Sequence, residues 1–170
     1  ATPILGIVAF CSFQNQFSEE LLKVVSIISL SGALYATIKA IVQNKVSQRI
    51  AYGTMALYSI LWWHMGSAGQ LTNSATLFAA SLILASFGLL FGWDRIRLRY
   101  GDLNLNQLGG LFLQMPRLAL CMALLVMAIV GLPPFSLFFG YMDMLLDDQI
   151  SGPGIIVALF TWFSASWIFF

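Results

Sequence analysis

Charge is the scarcest feature of this chain. Only 9% of its 170 residues are Asp, Glu, Lys or Arg, 59% are apolar, and the mean hydropathy is +0.87. A soluble domain carries roughly 25% charged residues to clothe its surface, so this composition excludes an ordinary soluble fold and places the chain in a bilayer. Eight basic residues and a net charge of +1 exclude the basic patch that nucleic acid requires. Cysteine is nearly absent. Cys11 and Cys121 lie in apolar runs without C-x-x-C or metal-ligand spacing, and both read as small buried hydrophobes rather than a disulfide or ligand pair. The opening ATPILGIVAF has no basic n-region, which excludes a signal peptide. The chain has no initiator Met and stops inside the apolar FTWFSASWIFF, so both ends read as cuts through a longer polypeptide. No nucleophile–base set, glycine-rich phosphate loop or ligand cluster stands out. The sequence therefore places no catalytic site, metal or cofactor in this chain and leaves open whether it serves an enzyme complex.

What is present is a series of long apolar segments, at 1–13, 21–42, 50–66, 77–93, 112–132, 134–146 and 155–170. A spanning helix needs ~20 apolar residues, with about 17 the usual minimum. The second to fifth segments reach that length. Strand-like alternation is missing and no proline falls inside the second, third or fourth segment, which favours helices over a barrel. The chain thus reads as all-α: a single transmembrane domain over 1–170, a polytopic bundle of six or seven spans with one proline-broken helix. Lys and Arg gather in QNKVSQR and DRIRLRYGDLNLNQ, two spans apart. The positive-inside rule makes that face cytoplasmic, or the matrix face of a mitochondrion. Asp147 and Asp148 join the same face if Pro133–Pro134 marks a full turn. The location is an integral membrane one, in a bacterial inner or mitochondrial inner membrane.

An ionisable group inside a membrane marks a functional site by default, because its burial costs ~2.5–3.5 kcal/mol even on lenient scales. Lys39, in LYATIKAIVQ, reads either as a lysine snorkelling to the interface or as a buried proton-exchanging amine. His64, in ILWWHMGS, sits beside two tryptophans typical of an aromatic belt; it reads as interfacial or as a relay imidazole. Lys23 follows Glu19 by four residues, a spacing that suits an interfacial ion pair. Asp143 follows the break GLPPF by ~13 Å of helix, where transporters place their sites. Gly131, Pro133 and Pro134 free backbone carbonyls at that break, to be satisfied by neighbours, water or an ion. A conducting route requires Asp143 and Lys39 to point into the bundle interior.

Three stretches in order, LYATIKAIVQNKVSQRIAYGTM, GDLNLNQLGGLFLQMPRLAL and GLPPFSLFFGYMDMLL, resemble the antiporter-like membrane subunits. Those comprise the proton-pumping subunits of respiratory complex I (an NADH:quinone oxidoreductase), the Mrp cation/proton antiporters, membrane hydrogenases and inorganic-carbon uptake systems. The family's subunits are longer and built of two inverted helix repeats. The resemblance covers roughly residues 20–148 and implies the second repeat, with the first absent. It implies a central lysine or histidine near Ala80–Leu84 and a histidine near Leu57, and neither is present here. It puts Tyr141 where the broken helix carries its lysine or glutamate, with Asp143 two residues on. A proton route would then run through Lys39, His64, Tyr58, Tyr141 and Asp143. The implied function is a membrane subunit of a proton- or cation-translocating complex, with other membrane subunits and the lipid bilayer as partners. The alternatives are proton-coupled uptake of CO2 or bicarbonate beside a soluble zinc-dependent partner, or a non-conducting scaffold.

Overall fold

The computed structural model describes residues 2–13, 18–101, 111–146 and 152–169, and every regular element among them is helical. The helices are α1 (Thr2–Phe13), α2 (Glu19–Val42), α3 (Val46–Ala68), α4 (Asn73–Tyr100), α5 (Leu111–Gln114), α6 (Pro116–Val130), α7 (Ser136–Leu145) and α8 (Gly152–Phe169). This is the helical membrane bundle the sequence predicts. At 24 and 28 residues, α2 and α4 are long and apolar enough to cross a bilayer. Their lengths, ~36 and ~42 Å, exceed the ~30 Å hydrocarbon core.

Local chemistry sets the helix ends. Ser18 caps α2 by accepting from the Leu21 N–H (3.4 Å), and Thr72 caps α4 by accepting from Ala75 (3.2 Å). Gly69 ends α3 in the left-handed region, with φ of 67°, where a side chain would be strained. Short connections make α2, α3 and α4 antiparallel neighbours. Small residues let them close in: Ala33, Ala36 and Ala40 are fully buried, and a methyl on Gly66 would stand 3.1 Å from the Leu22 carbonyl oxygen. In a bilayer such close approach holds helices together by van der Waals contact, since lipid tails remove the hydrophobic drive.

The break in the apolar run is built as one interrupted span, the proline-broken helix that the sequence predicts. Leu125 and Met122 of α6 meet Gly88 and Gly92 of α4, while Ser136 and Gly140 of α7 meet Ser81 and Phe78. The α6 and α7 partners thus descend α4 in one order. The two short helices, of 15 and 10 residues, together cross alongside the 28 residues of α4. Pro133–Pro134, a cis peptide, is therefore no full turn. The chain leaves α7 at the end of the bundle opposite Arg95, Arg97 and Arg99, not on their face; Asp147 and Asp148 themselves lie outside the described residues.

Cys121 is also corrected: it is exposed on α6. It lies at the margin of the stripe Met122, Leu125 and Ile129, and that stripe is the one turned to the bundle. The side chain of Cys11 lies outside the described residues.

Candidate functional site

In an α-helix the carbonyl of residue i accepts from the N–H of residue i+4. Pro133 and Pro134 have no N–H, so the carbonyls of Ile129 and Val130 lose their helical donors. Gly131 turns the chain out of the helix at φ 72° and ψ 47°. Its N–H returns to Ala128 O (3.2 Å), and Leu132 N–H returns to Met127 O (3.2 Å), the bonding of a Schellman end. Val130 O finds a donor on another helix: Ser166 of α8 reaches it at 3.2 Å, sharing its one proton with Trp162 O at 2.8 Å. The chain re-enters a helix through Phe135 N–H to Leu132 O (2.9 Å). All of this lies beside Ala85 of α4, at mid-height of a helix running from Asn73 to Tyr100.

Aromatic rings close the interior side of the break. Tyr141 is fully buried and lies 4.6 Å from Trp162 between ring centroids, with Phe78 at 5.9 Å on another side. Trp162 also meets Phe138 at 6.4 Å. The Tyr141 hydroxyl and the Trp162 Nε1–H have no hydrogen-bond partner among the described residues. On the outer side, Ser136 and Ser81 bond at 2.7 Å. Ser81 spends its proton on Leu77 O (2.7 Å), so Ser136 donates to Ser81.

The expected route residues divide into two groups. Lys39 and Asp143 are both exposed on the outer surface of the bundle, which corrects the expectation that they point inward. The reason is helical phase: on α2 the bundle-facing positions are Ala33, Ala36, Thr37 and Ala40, and on α7 they are Leu137, Gly140, Tyr141 and Met144. Lys39 lies one turn from the α2 C-terminus with its amine 5.8 Å from the Tyr35 ring centre. Tyr35 is one turn back toward the α2 N-terminus, so the amine is turned along the helix away from the nearer membrane face and does not snorkel to it. Because Gly140 packs on Phe78, Asp143 reaches the level of the first turn of α4, at the membrane edge rather than mid-depth.

His64, Tyr58 and Tyr141 lie inside. His64 is 0% exposed; it packs inside the bundle on the face of α3 shared with Leu57, Ile60 and Leu61, about one turn from the α3 C-terminus. Tyr58 Oη stands 3.5 Å from Ser86 Oγ on α4, at the outer limit of hydrogen bonding. The buried face of α4 otherwise carries no ionisable side chain. Glu19 and Lys23 are both exposed at the α2 N-terminus. Among the described residues no three His, Cys, Asp or Glu come together as a metal would need.

Ser166, Trp162, Ser86 and the Ser81–Ser136 pair had no signal of their own in the sequence. The available clue was indirect. Two carbonyls stripped of donors by Pro133 and Pro134 call for a hydroxyl at the same depth, and Thr161, Ser164 and Ser166 are the hydroxyls in the last apolar run.

Comparison with known proteins agrees with this architecture. The transmembrane family described as NADH:quinone oxidoreductase/Mrp antiporter matches residues 2–166. The chain is also similar to the NADH-quinone oxidoreductase subunit N of Hirschia baltica, at 26% identity over 144 residues, covering 81% of this chain and 29% of that subunit. It thus spans less than a third of the length of that relative. With its interrupted span and helical bundle, the chain belongs to the NADH:quinone oxidoreductase/Mrp antiporter family of integral membrane proteins.

Proposed function

We propose that this chain is part of a membrane subunit in a proton- or cation-translocating complex, working beside other membrane subunits. Lys39 and Asp143 point outward, which sinks the route that required both of them inside; His64 remains as the protonatable side chain that this chain contributes. The observation that carries this is the complete burial of His64, set against the outward placement of the other two. An aspartate at the rim is solvated at the headgroups and costs the fold little. An imidazole has one ring nitrogen that donates and one that accepts, so it can pass a proton on without a large change in shape. The Tyr58–Ser86 pair supplies hydroxyls on the α3–α4 contact, one and a half turns along the same helix from His64.

A second reading, a non-conducting scaffold, draws on the ion-free buried face of α4 and the aromatic seal around Tyr141. Proton flux in vesicles containing the whole complex separates the two. His64→Gln is expected to lower flux by roughly tenfold or more, with assembly intact, while Asp143→Asn and Lys39→Gln leave it unchanged. Wild-type flux in the assembled His64→Gln complex would establish the scaffold. Loss of flux in Asp143→Asn alone would return the route to the outer face of α7.

A further inference from the structure

Where α2 begins, two cavities share one wall residue, Leu22. The first, ≈ 430 Å³, is lined by Glu19, Lys23, Ser26 and the end of α3 from Gly66 to Gly69, including Ser67. The second, ≈ 310 Å³, is apolar and is walled by Gly6, Ala9, Phe10, Val25 and Trp62. Their depths differ in a useful way. α2 is ~36 Å long against a ~30 Å hydrocarbon core, so a centred α2 holds Glu19 about 3 Å outside it. That is headgroup level. Leu21 to Val25 lie further in, where acyl chains begin.

We infer that the two cavities together hold one zwitterionic phospholipid, with its headgroup in the first and the start of an acyl chain in the second. The charges fit this ligand class. Glu19 offers a carboxylate to a headgroup amine, and Lys23, one helical turn (~5.4 Å) further on, offers an ammonium to the phosphate of the same headgroup. Ser67, at the end of α3, adds a hydroxyl donor for a phosphate oxygen. A purely anionic lipid would place its phosphate beside Glu19 with no amine to balance that carboxylate. Free phosphate would leave the apolar cavity without an occupant. Gly6 lets α1 close directly on Trp62, where a methyl would stand 2.9 Å from Cζ2, and Ala9 on the same cavity wall adds only a methyl of its own. The Trp62 ring, held edge-on by Phe10 at 5.8 Å, gives the chain a flat wall.

The test uses the complex containing the full-length subunit and a phosphatidylethanolamine with a photoactivatable acyl chain, with crosslinks mapped by peptide mass spectrometry. Crosslinks are expected at Ala9, Val25 or Trp62. Unlabelled phosphatidylethanolamine should compete roughly fivefold better than phosphatidylglycerol, the factor that one well-placed charge gives at a membrane surface. Glu19→Gln should erase that preference without removing the crosslink, and Ala9→Phe should remove the crosslink at an unchanged thermal midpoint. No crosslink at these residues, equal competition by the two lipids, or a preference indifferent to Glu19→Gln would each overturn the assignment.

Discussion

Replacing Gly140 by Ala tests whether the lower half of the interrupted span is fixed by backbone contact. A Cβ at that position would lie 2.9 Å from Phe78 N and 3.1 Å from Phe78 Cα, both backbone atoms of α4. Neither can rotate away. The same substitution at Gly88 puts a Cβ 2.9 Å from Cδ1 and Cδ2 of Leu125, the far end of a flexible side chain. Both glycines are inside helices, so alanine gains about 1 kcal/mol of helix propensity at each. Overpacking costs ~1–3 kcal/mol, and the upper end applies where backbone is struck. Gly140→Ala should therefore lose ~2 kcal/mol net, and Gly88→Ala should change by less than ~1 kcal/mol in either direction. A loss of ~2 kcal/mol is roughly a thirtyfold change in the folded ratio. The assay is denaturant or thermal unfolding of the purified complex, followed by a probe on α7, with the two variants side by side. If Gly140→Ala is as stable as Gly88→Ala, then α7 does not rest on α4 as described, and the single-span reading of α6 and α7 fails with it.

Other outcomes follow from the same site. Ser166→Ala removes the donor that Ser166 shares with Val130 O, and it should cost about 0.6–1.7 kcal/mol, the range for hydrogen bonds between membrane helices; an unchanged midpoint would mean that water serves the carbonyl equally well. Tyr141→Phe deletes a buried hydroxyl that has no partner among the described residues. It should leave stability unchanged or raise it by ~1 kcal/mol, and a marked loss on unfolding would reveal a partner beyond those residues. Asp143→Asn and Lys39→Gln alter exposed side chains and should each stay within about 0.5 kcal/mol of wild type; a larger loss in the same unfolding assay would place them against protein.

The sequence by itself determined the membrane environment, the helical class and the approximate place of each apolar helix, although α3 and α4 extend into the basic stretches it read as connections. These are local or compositional matters: 9% charge cannot clothe a soluble surface, and apolar runs of spanning length must satisfy their own backbone. It also located the break at Gly131–Pro134, because proline and glycine act on their own dihedrals. Tertiary structure alone decided what the break does. Whether Pro133–Pro134 reverses the chain or merely interrupts it depends on which residues of α4 the two pieces touch, and pairs such as Gly92–Met122 and Phe78–Gly140 are far apart in sequence. The fates of the ionisable residues had the same origin. Lys39, His64 and Asp143 each sit in an apolar helix, and nothing in their neighbours along the chain separates them. A rotation of ~100° per residue turns His64 into the core and the other two outward, and only the placement of the neighbouring helices defines which direction is inside.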